Sequence, residues 1–97
     1  MGTKSVRAME KKVEALQRQL VELGPLMRGS VDRIGTRKKQ YYFSLNKDKK
    51  TRLIYLGQAK VGTASRYSEN YKKLLQIVEE MTILNMEILR TDKRFKR

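Results

Sequence analysis

The sequence predicts an α+β protein with a long N-terminal helix, a small antiparallel sheet of two or three strands, and a long C-terminal helix. Two observations predict this order. Apolar residues recur every three or four positions near both ends, which is the helical period, whereas the middle alternates aromatic and polar residues, which is the strand period. Because 97 residues suit one small domain, we expect a single domain over residues 1–97.

The first helix is predicted over residues 3–23. Its apolar positions alternate steps of three and four residues: Val6, Met9, Val13, Leu16, Leu20 and Leu23. Such a narrow stripe is typical of a coiled-coil contact with one partner helix. Gly24 and Pro25 end the helix, because glycine is favoured just past a helix C-terminus and proline cannot continue the helix.

Residues 29–57 are predicted to form a basic β-ribbon. "RGSVDRIG" is a short strand candidate, and "QYYFSLN" and "TRLIYLG" are rich in the residues that favour strands. The polar cluster "NKDKK" joins the last two, which favours a loop of four or five residues over a two-residue turn. Strand alternation places Tyr42 on the face opposite to Tyr41, Phe43 and Leu45.

The second helix is predicted over residues 63–90, after a linker of small residues with Thr63 or Ser65 as its N-cap. A basic tail over residues 91–97 follows. Six helix positions are predicted to form core or dimer contacts: Leu74, Val78, Met81, Leu84, Asn85 and Ile88. Leu75, Ile77 and Leu89 widen this stripe beyond what one partner element can cover.

The wide stripe predicts a homodimer joined through its helices, because an uncovered apolar patch is unfavourable on a small domain. Asn85 occupies a position where the three-four rhythm calls for an apolar residue. A polar residue in such a seam can determine register and partner number, which favours a place for Asn85 near a two-fold axis.

The composition argues against several classes of function. The chain has no cysteine and no histidine, so it lacks disulfides, thiolate metal ligands and the commonest general base near neutral pH. We predict no catalytic residues, no metal site and no cofactor, hence a protein that is not an enzyme. Neither a membrane span nor a signal-peptide core is evident, which predicts a cytoplasmic location.

Positive charge is concentrated in the middle of the chain. The formal net charge is +13, and Arg28 to Lys60 contribute +8 of it. Nine residues are the predicted nucleic-acid contacts: Arg33, Arg37, Lys38, Lys39, Tyr42, Lys47, Lys49, Lys50 and Arg52. Lysines crowded at one turn repel each other, whereas phosphates would neutralise them and release counterions.

These observations favour a DNA-binding protein, because a two-stranded ribbon is narrow enough to enter the major groove. Three alternatives stay open. The lysines can simply protect turns and strand edges from pairing with other chains. An RNA- or ribosome-associated protein would use the same basic surface and expose its tyrosines. A coiled-coil protein-interaction module would show little salt-dependent binding to nucleic acid.

Two resemblances rest on these residues. "GPLMRGSV", "YYFSL…KKTRLIYL" and "ENYKKLLQIVEEMTILNMEILR" resemble a family of small uncharacterised prokaryotic proteins of unknown function, which implies the helix–hairpin–helix order but no site residues. Many members of that family carry a cysteine- and histidine-containing loop where this chain has "DRIGTRKKQ", so no metal ligands are implied. "GSVDRIGTRKKQYYFSLNKDKKTRLIYLG" is similar to the amino-terminal arm-binding domains of tyrosine integrases, whose three-stranded sheet sits in the DNA major groove.

Overall fold

A computed structural model describes residues 5–95 and confirms the predicted α+β class. Its elements, in chain order, are helix α1 (Val6–Glu22), strands β1 (Ser30–Ile34), β2 (Gln40–Lys47) and β3 (Lys50–Tyr55), helix α2 (Gly57–Thr91) and a 3-10 turn (Lys93–Phe95). Helix α1 begins at Val6, after the extended N-cap Ser5, and not at the predicted Thr3. Thr3 itself and the tail residues Lys96 and Arg97 lie outside the described residues. Within residues 5–95, no helix has a stretch long and apolar enough to cross a membrane.

The chain divides into two compact units. Gly24–Lys72 form the first, which we call the sheet unit, and Met1–Leu23 with Lys73–Arg97 form the second, the helix-pair unit. Helix α2 contributes its first part to one unit and its second part to the other. The single-domain organisation that chain length favours stays a prediction.

In the helix-pair unit, α1 buries the predicted stripe. Ser5 caps the helix by accepting a hydrogen bond from the Ala8 backbone N–H at 3.1 Å. Met9 and Leu16 are its two buried residues, 1% and 7% exposed. Near this end of α1, Glu10 accepts a hydrogen bond from Arg94 at 2.8 Å. The start of α1 therefore lies beside the end of α2, and the two helices run antiparallel.

The second part of α2 buries or half-buries four of the six predicted contact positions, together with Ile77. The buried and half-buried apolar positions are Leu74, Ile77, Met81, Leu84 and Ile88. Val78 is 47% exposed and Asn85 is exposed, so neither is a core residue. A wide apolar stripe contains two lines with three-four spacing, and only packing against α1 determines which of them is buried.

The structure corrects the predicted tail over residues 91–97. Thr91 belongs to α2, and Asp92 caps the 3-10 turn by accepting hydrogen bonds from the Arg94 backbone N–H at 2.9 Å and from Arg94 Nε at 2.7 Å. These hydrogen bonds from Arg94 hold the pKa of Asp92 below its ordinary value. Because Arg94 also contacts Glu10, the chain remains attached to the helix pair as far as this turn.

In the sheet unit, three antiparallel strands lie in the order β1-β2-β3. Phe43 lies opposite Val31 on one side and Ile54 on the other, so all three side chains share a face. Phe43, Leu56 and Ala64 form the buried core, and Tyr41 and Leu45 are partly buried against it. The predicted alternation along β2 is therefore confirmed, and α2 covers the face that carries Phe43.

Two boundaries differ from the prediction. The β2–β3 turn has only two central residues, Asp48 at φ 54° and Lys49 at φ 63°, with Lys47 paired to Lys50. Positive φ at both positions is typical of a type I′ turn, whose twist matches the strands, so the predicted longer loop is wrong. Helix α2 begins at Gly57, which means that the predicted linker is helical.

A short strap, residues Gly24–Gly29, joins the end of α1 to β1 and is bound to α2. Ser68 Oγ donates to the Gly29 carbonyl at 2.9 Å, and Asn70 Nδ2 donates to the Pro25 carbonyl at 2.8 Å. Both polar side chains are buried, 7% and 8% exposed. The spacing in the sequence did not predict this role, because the partners lie 39 and 45 residues away.

Replacing Asn70 with alanine is expected to lower the free energy of unfolding by about 1 kcal/mol, because the part-buried hydrogen bond to the Pro25 carbonyl is lost. Asn85→Ala on the same helix is the matched control, since Asn85 is exposed, and it should change the free energy by less than about 0.5 kcal/mol. Urea unfolding followed by circular dichroism measures both. Equal effects of the two substitutions would contradict this role of Asn70.

Candidate nucleic-acid interface

The structure separates the predicted basic contacts into two clusters at opposite ends of the sheet. The hairpin cluster, at the β2–β3 turn, consists of Lys47, Lys49, Lys50 and Arg52, together with Arg28. The loop cluster, at the β1–β2 connection, consists of Arg33, Arg37, Lys38 and Lys39. Strand β2 has eight residues between them, which corresponds to a separation of roughly 23 Å.

The hairpin cluster is held by the pairing of β2 with β3. Lys47 and Lys50 face each other next to the turn, and Arg52 lies opposite Leu45. Arg28, which was not among the predicted contacts, lies at the same end of the sheet, where its Nη1 donates to the Asn46 carbonyl at 3.1 Å. The ion pairs of residues 5–95 involve Lys72, Arg90 and Arg94, so none of them neutralises this cluster.

The loop cluster is exposed at the other end of β2. Arg37, Lys38 and Lys39 are exposed residues of the β1–β2 connection. Arg33 lies in β1, and its guanidinium is 5.4 Å from the centre of the Tyr41 ring. This cation–π contact orients Arg33 without neutralising its charge.

The sheet face turned away from α2 contains no lysine or arginine. We call it the open face, and strand register assigns ten residues to it: Ser30, Asp32, Ile34, Gln40, Tyr42, Ser44, Asn46, Thr51, Leu53 and Tyr55. The strand cations Arg33, Lys47, Lys50 and Arg52 lie on the other face. The open face is therefore nearly neutral along its length, with cations near both of its ends.

Aromatic rings and polar side chains on the open face contact one another. Tyr42 and Tyr55 pack edge to face with ring centres 5.5 Å apart, and Tyr55 OH donates to Gln40 Oε1 at 3.3 Å. Thr51 Oγ1 donates to Asn46 Oδ1 at 2.6 Å. Tyr42 is half-buried, whereas Tyr55, which was not among the predicted contacts, is 55% exposed.

Comparison of this chain with protein-family models, curated proteins and solved structures finds no match. The resemblances to the small prokaryotic family and to the integrase arm-binding domains therefore stay predictions.

Proposed function

We propose that this chain is a non-enzymatic, cytoplasmic nucleic-acid-binding protein that prefers duplex DNA. One observation carries the proposal: two cation clusters, which no ion pair neutralises within residues 5–95, lie roughly 23 Å apart with a nearly neutral sheet face between them. Uncompensated like charges add nothing to folding stability, whereas binding to phosphates releases counterions and favours association.

Two separated cation clusters suit a duplex because phosphates border the major groove on both sides. That groove is about 12 Å wide and admits a β-ribbon. With the open face toward the bases, exposed cations beyond the strand ends, such as Lys38 and Lys49, would reach phosphates on opposite sides. Between them, the open face would offer the amide N–H groups of Gln40 and Asn46 to base edges, since their carbonyl oxygens already accept hydrogen bonds from Tyr55 and Thr51.

A second candidate is binding to single-stranded RNA, which the exposure of Tyr55 favours. An exposed ring on a sheet can stack on an unpaired base. The hydrogen bond from Tyr55 to Gln40 and the edge-to-face contact with Tyr42 already engage this ring, which makes duplex DNA the better candidate.

Binding of the chain to a labelled DNA duplex is expected to weaken by more than about two decades for each tenfold rise in salt, because at least four phosphate contacts contribute about 0.9 decade each. Electrophoretic mobility shifts at two salt concentrations measure this, with single-stranded DNA and RNA of the same sequence as controls. Tighter binding to RNA would favour the second candidate. A flat salt response would refute both and favour a protein-interaction module.

We also propose that the chain forms a homodimer through the uncovered side of α2. Leu75, Val78, Met86 and Leu89 are 49%, 47%, 65% and 60% exposed there. They follow helical spacing and lie on a side of α2 distinct from the line that packs against α1. A second copy would remove these side chains from water and double the number of phosphate contacts on one duplex.

Sedimentation equilibrium at micromolar concentration is expected to give twice the chain mass of 11.4 kDa. Leu89→Asp should restore the monomer mass, because a carboxylate in an apolar interface is poorly solvated. Val21→Asp is the matched control: Val21 is 85% exposed on α1, so this variant should stay dimeric. A wild-type mass near 11.4 kDa would refute the dimer.

A further inference from the structure

A groove with an apolar floor and a basic rim follows β3 on the helix side of the sheet. It consists of two adjoining hollows of about 460 and 280 Å³, which share Met27, Phe43 and Ile54. The cations at its rim are Arg28, Lys47, Arg52 and Lys60, and no acidic residue lines either hollow. We call this feature the edge groove; it suits a ligand with an apolar middle and negative ends.

The β3 strand presents unpaired main-chain groups next to this groove. The strand order places β3 at an edge, and no other strand within residues 5–95 pairs with its outer side. Leu56 N–H donates to the Tyr41 carbonyl at 2.9 Å, so the main-chain groups of Leu56 point toward β2. In an antiparallel pair, the main-chain groups of successive residues point alternately toward the partner strand and away from it. The main-chain groups of Thr51, Leu53 and Tyr55 consequently point away from β2, in the direction of an additional strand.

From these two observations we propose that β3 binds an extended acidic segment of a partner protein as a fourth strand. Main-chain hydrogen bonds to Leu53 and Tyr55 would provide affinity, as in other cases of strand addition. On the helix side, an apolar residue of the segment would lie beside Ile54, which is 57% exposed, and carboxylates would lie beside Arg52 and Lys60.

A nucleic acid would not fit the edge groove. Its backbone has no amide donors to continue the strand ladder, and Phe43 in the groove floor is only 4% exposed, which leaves no ring face for a base. The inference therefore goes beyond the proposed function. Because Lys47 and Arg52 belong both to the edge groove and to the hairpin cluster, the acidic segment and DNA would compete.

Titration of the full chain with a fluorescein-labelled peptide, Gly-Glu-Thr-Ile-Thr-Glu-Gly, followed by fluorescence anisotropy, tests the proposal. In this peptide the isoleucine would lie beside Ile54 and the glutamates beside the rim cations, while the two threonine amides would bond to β3. N-methylation of the threonines is expected to weaken binding at least about tenfold, because two hydrogen bonds are lost. Arg52→Glu, and exchange of the peptide glutamates for lysine, should each weaken it similarly.

Substitution of alanine for Arg37, Lys38 and Lys39 is the matched control, because these loop-cluster residues lie at the other end of β2. This variant should keep its affinity for the peptide, while the proposed function predicts weaker DNA binding. The two proposals can thus fail separately. Equal binding of the N-methylated or lysine peptide, or no binding of the acidic peptide, would overturn the fourth-strand proposal whatever the DNA measurement gives.

Discussion

Replacing Lys47, Lys49 and Lys50 together with alanine is expected to weaken binding to duplex DNA roughly 500-fold at about 0.1 M salt, because three lost phosphate contacts together remove about 2.7 from the salt slope. The three lysines are exposed residues at the β2–β3 turn, and none takes part in an ion pair described for residues 5–95. Each substitution should therefore change the free energy of unfolding by no more than about 0.5 kcal/mol.

A matched variant separates the contribution of this site from the effect of net charge. Alanine at Lys11, Lys12 and Lys73 removes the same three charges from exposed positions in the helix-pair unit. Mobility shifts with one duplex at several salt concentrations should show the shallower salt slope only for the turn variant. Equal losses in the two variants would mean that charge alone, and not the hairpin cluster, determines affinity.

Gly29→Ala is expected to lower the free energy of unfolding by about 2 kcal/mol or more, the combined cost of backbone strain and overpacking. Gly29 has φ +149°, a value that residues with a side chain rarely adopt. A Cβ atom there would lie 2.5 Å from Phe43 Cζ and 2.6 Å from the Ser44 carbonyl oxygen. Backbone in β2 cannot move aside without disrupting its pairing with β1, so the strain cannot be relieved locally.

Gly62→Ala is the control, for which we expect the opposite change in the free energy of unfolding. Gly62 lies inside α2, and an added Cβ meets no atom within 4 Å. Alanine should therefore raise the free energy of unfolding by about 0.5–1 kcal/mol through its better helix propensity. Thermal unfolding followed by circular dichroism should show opposite shifts in Tm, about 4–8 °C per kcal/mol. A Gly29→Ala variant as stable as the wild type would show that the strap can move away from β2.

Local sequence signals alone determined the order of elements, the α1 stripe and the face of β2 that is buried. The three-four spacing from Val6 to Leu23 has one interpretation, since only one line of apolar residues exists there. Alternation around Phe43 is equally unambiguous, because a strand has only two faces. Composition likewise showed the excess of charge between Arg28 and Lys60.

Features that depend on residues far apart in the chain were decided only by the tertiary structure. The wide stripe of α2 allows two buried lines, and packing against α1 buries Ile77 while it leaves the predicted Val78 and Asn85 exposed. The strap depends on hydrogen bonds from Ser68 and Asn70 to carbonyls 39 and 45 residues away.

Strand pairing likewise decided where the cations lie. The nine predicted contacts all lie between Arg33 and Arg52 in the sequence, yet antiparallel strands turn their connections to opposite ends of the sheet, which separates the charges into two clusters. Local patterns indicate which face of a helix or strand is apolar. Which element packs against that face, and in which register, depends on the free energy of the whole packed chain, to which residues distant in sequence also contribute.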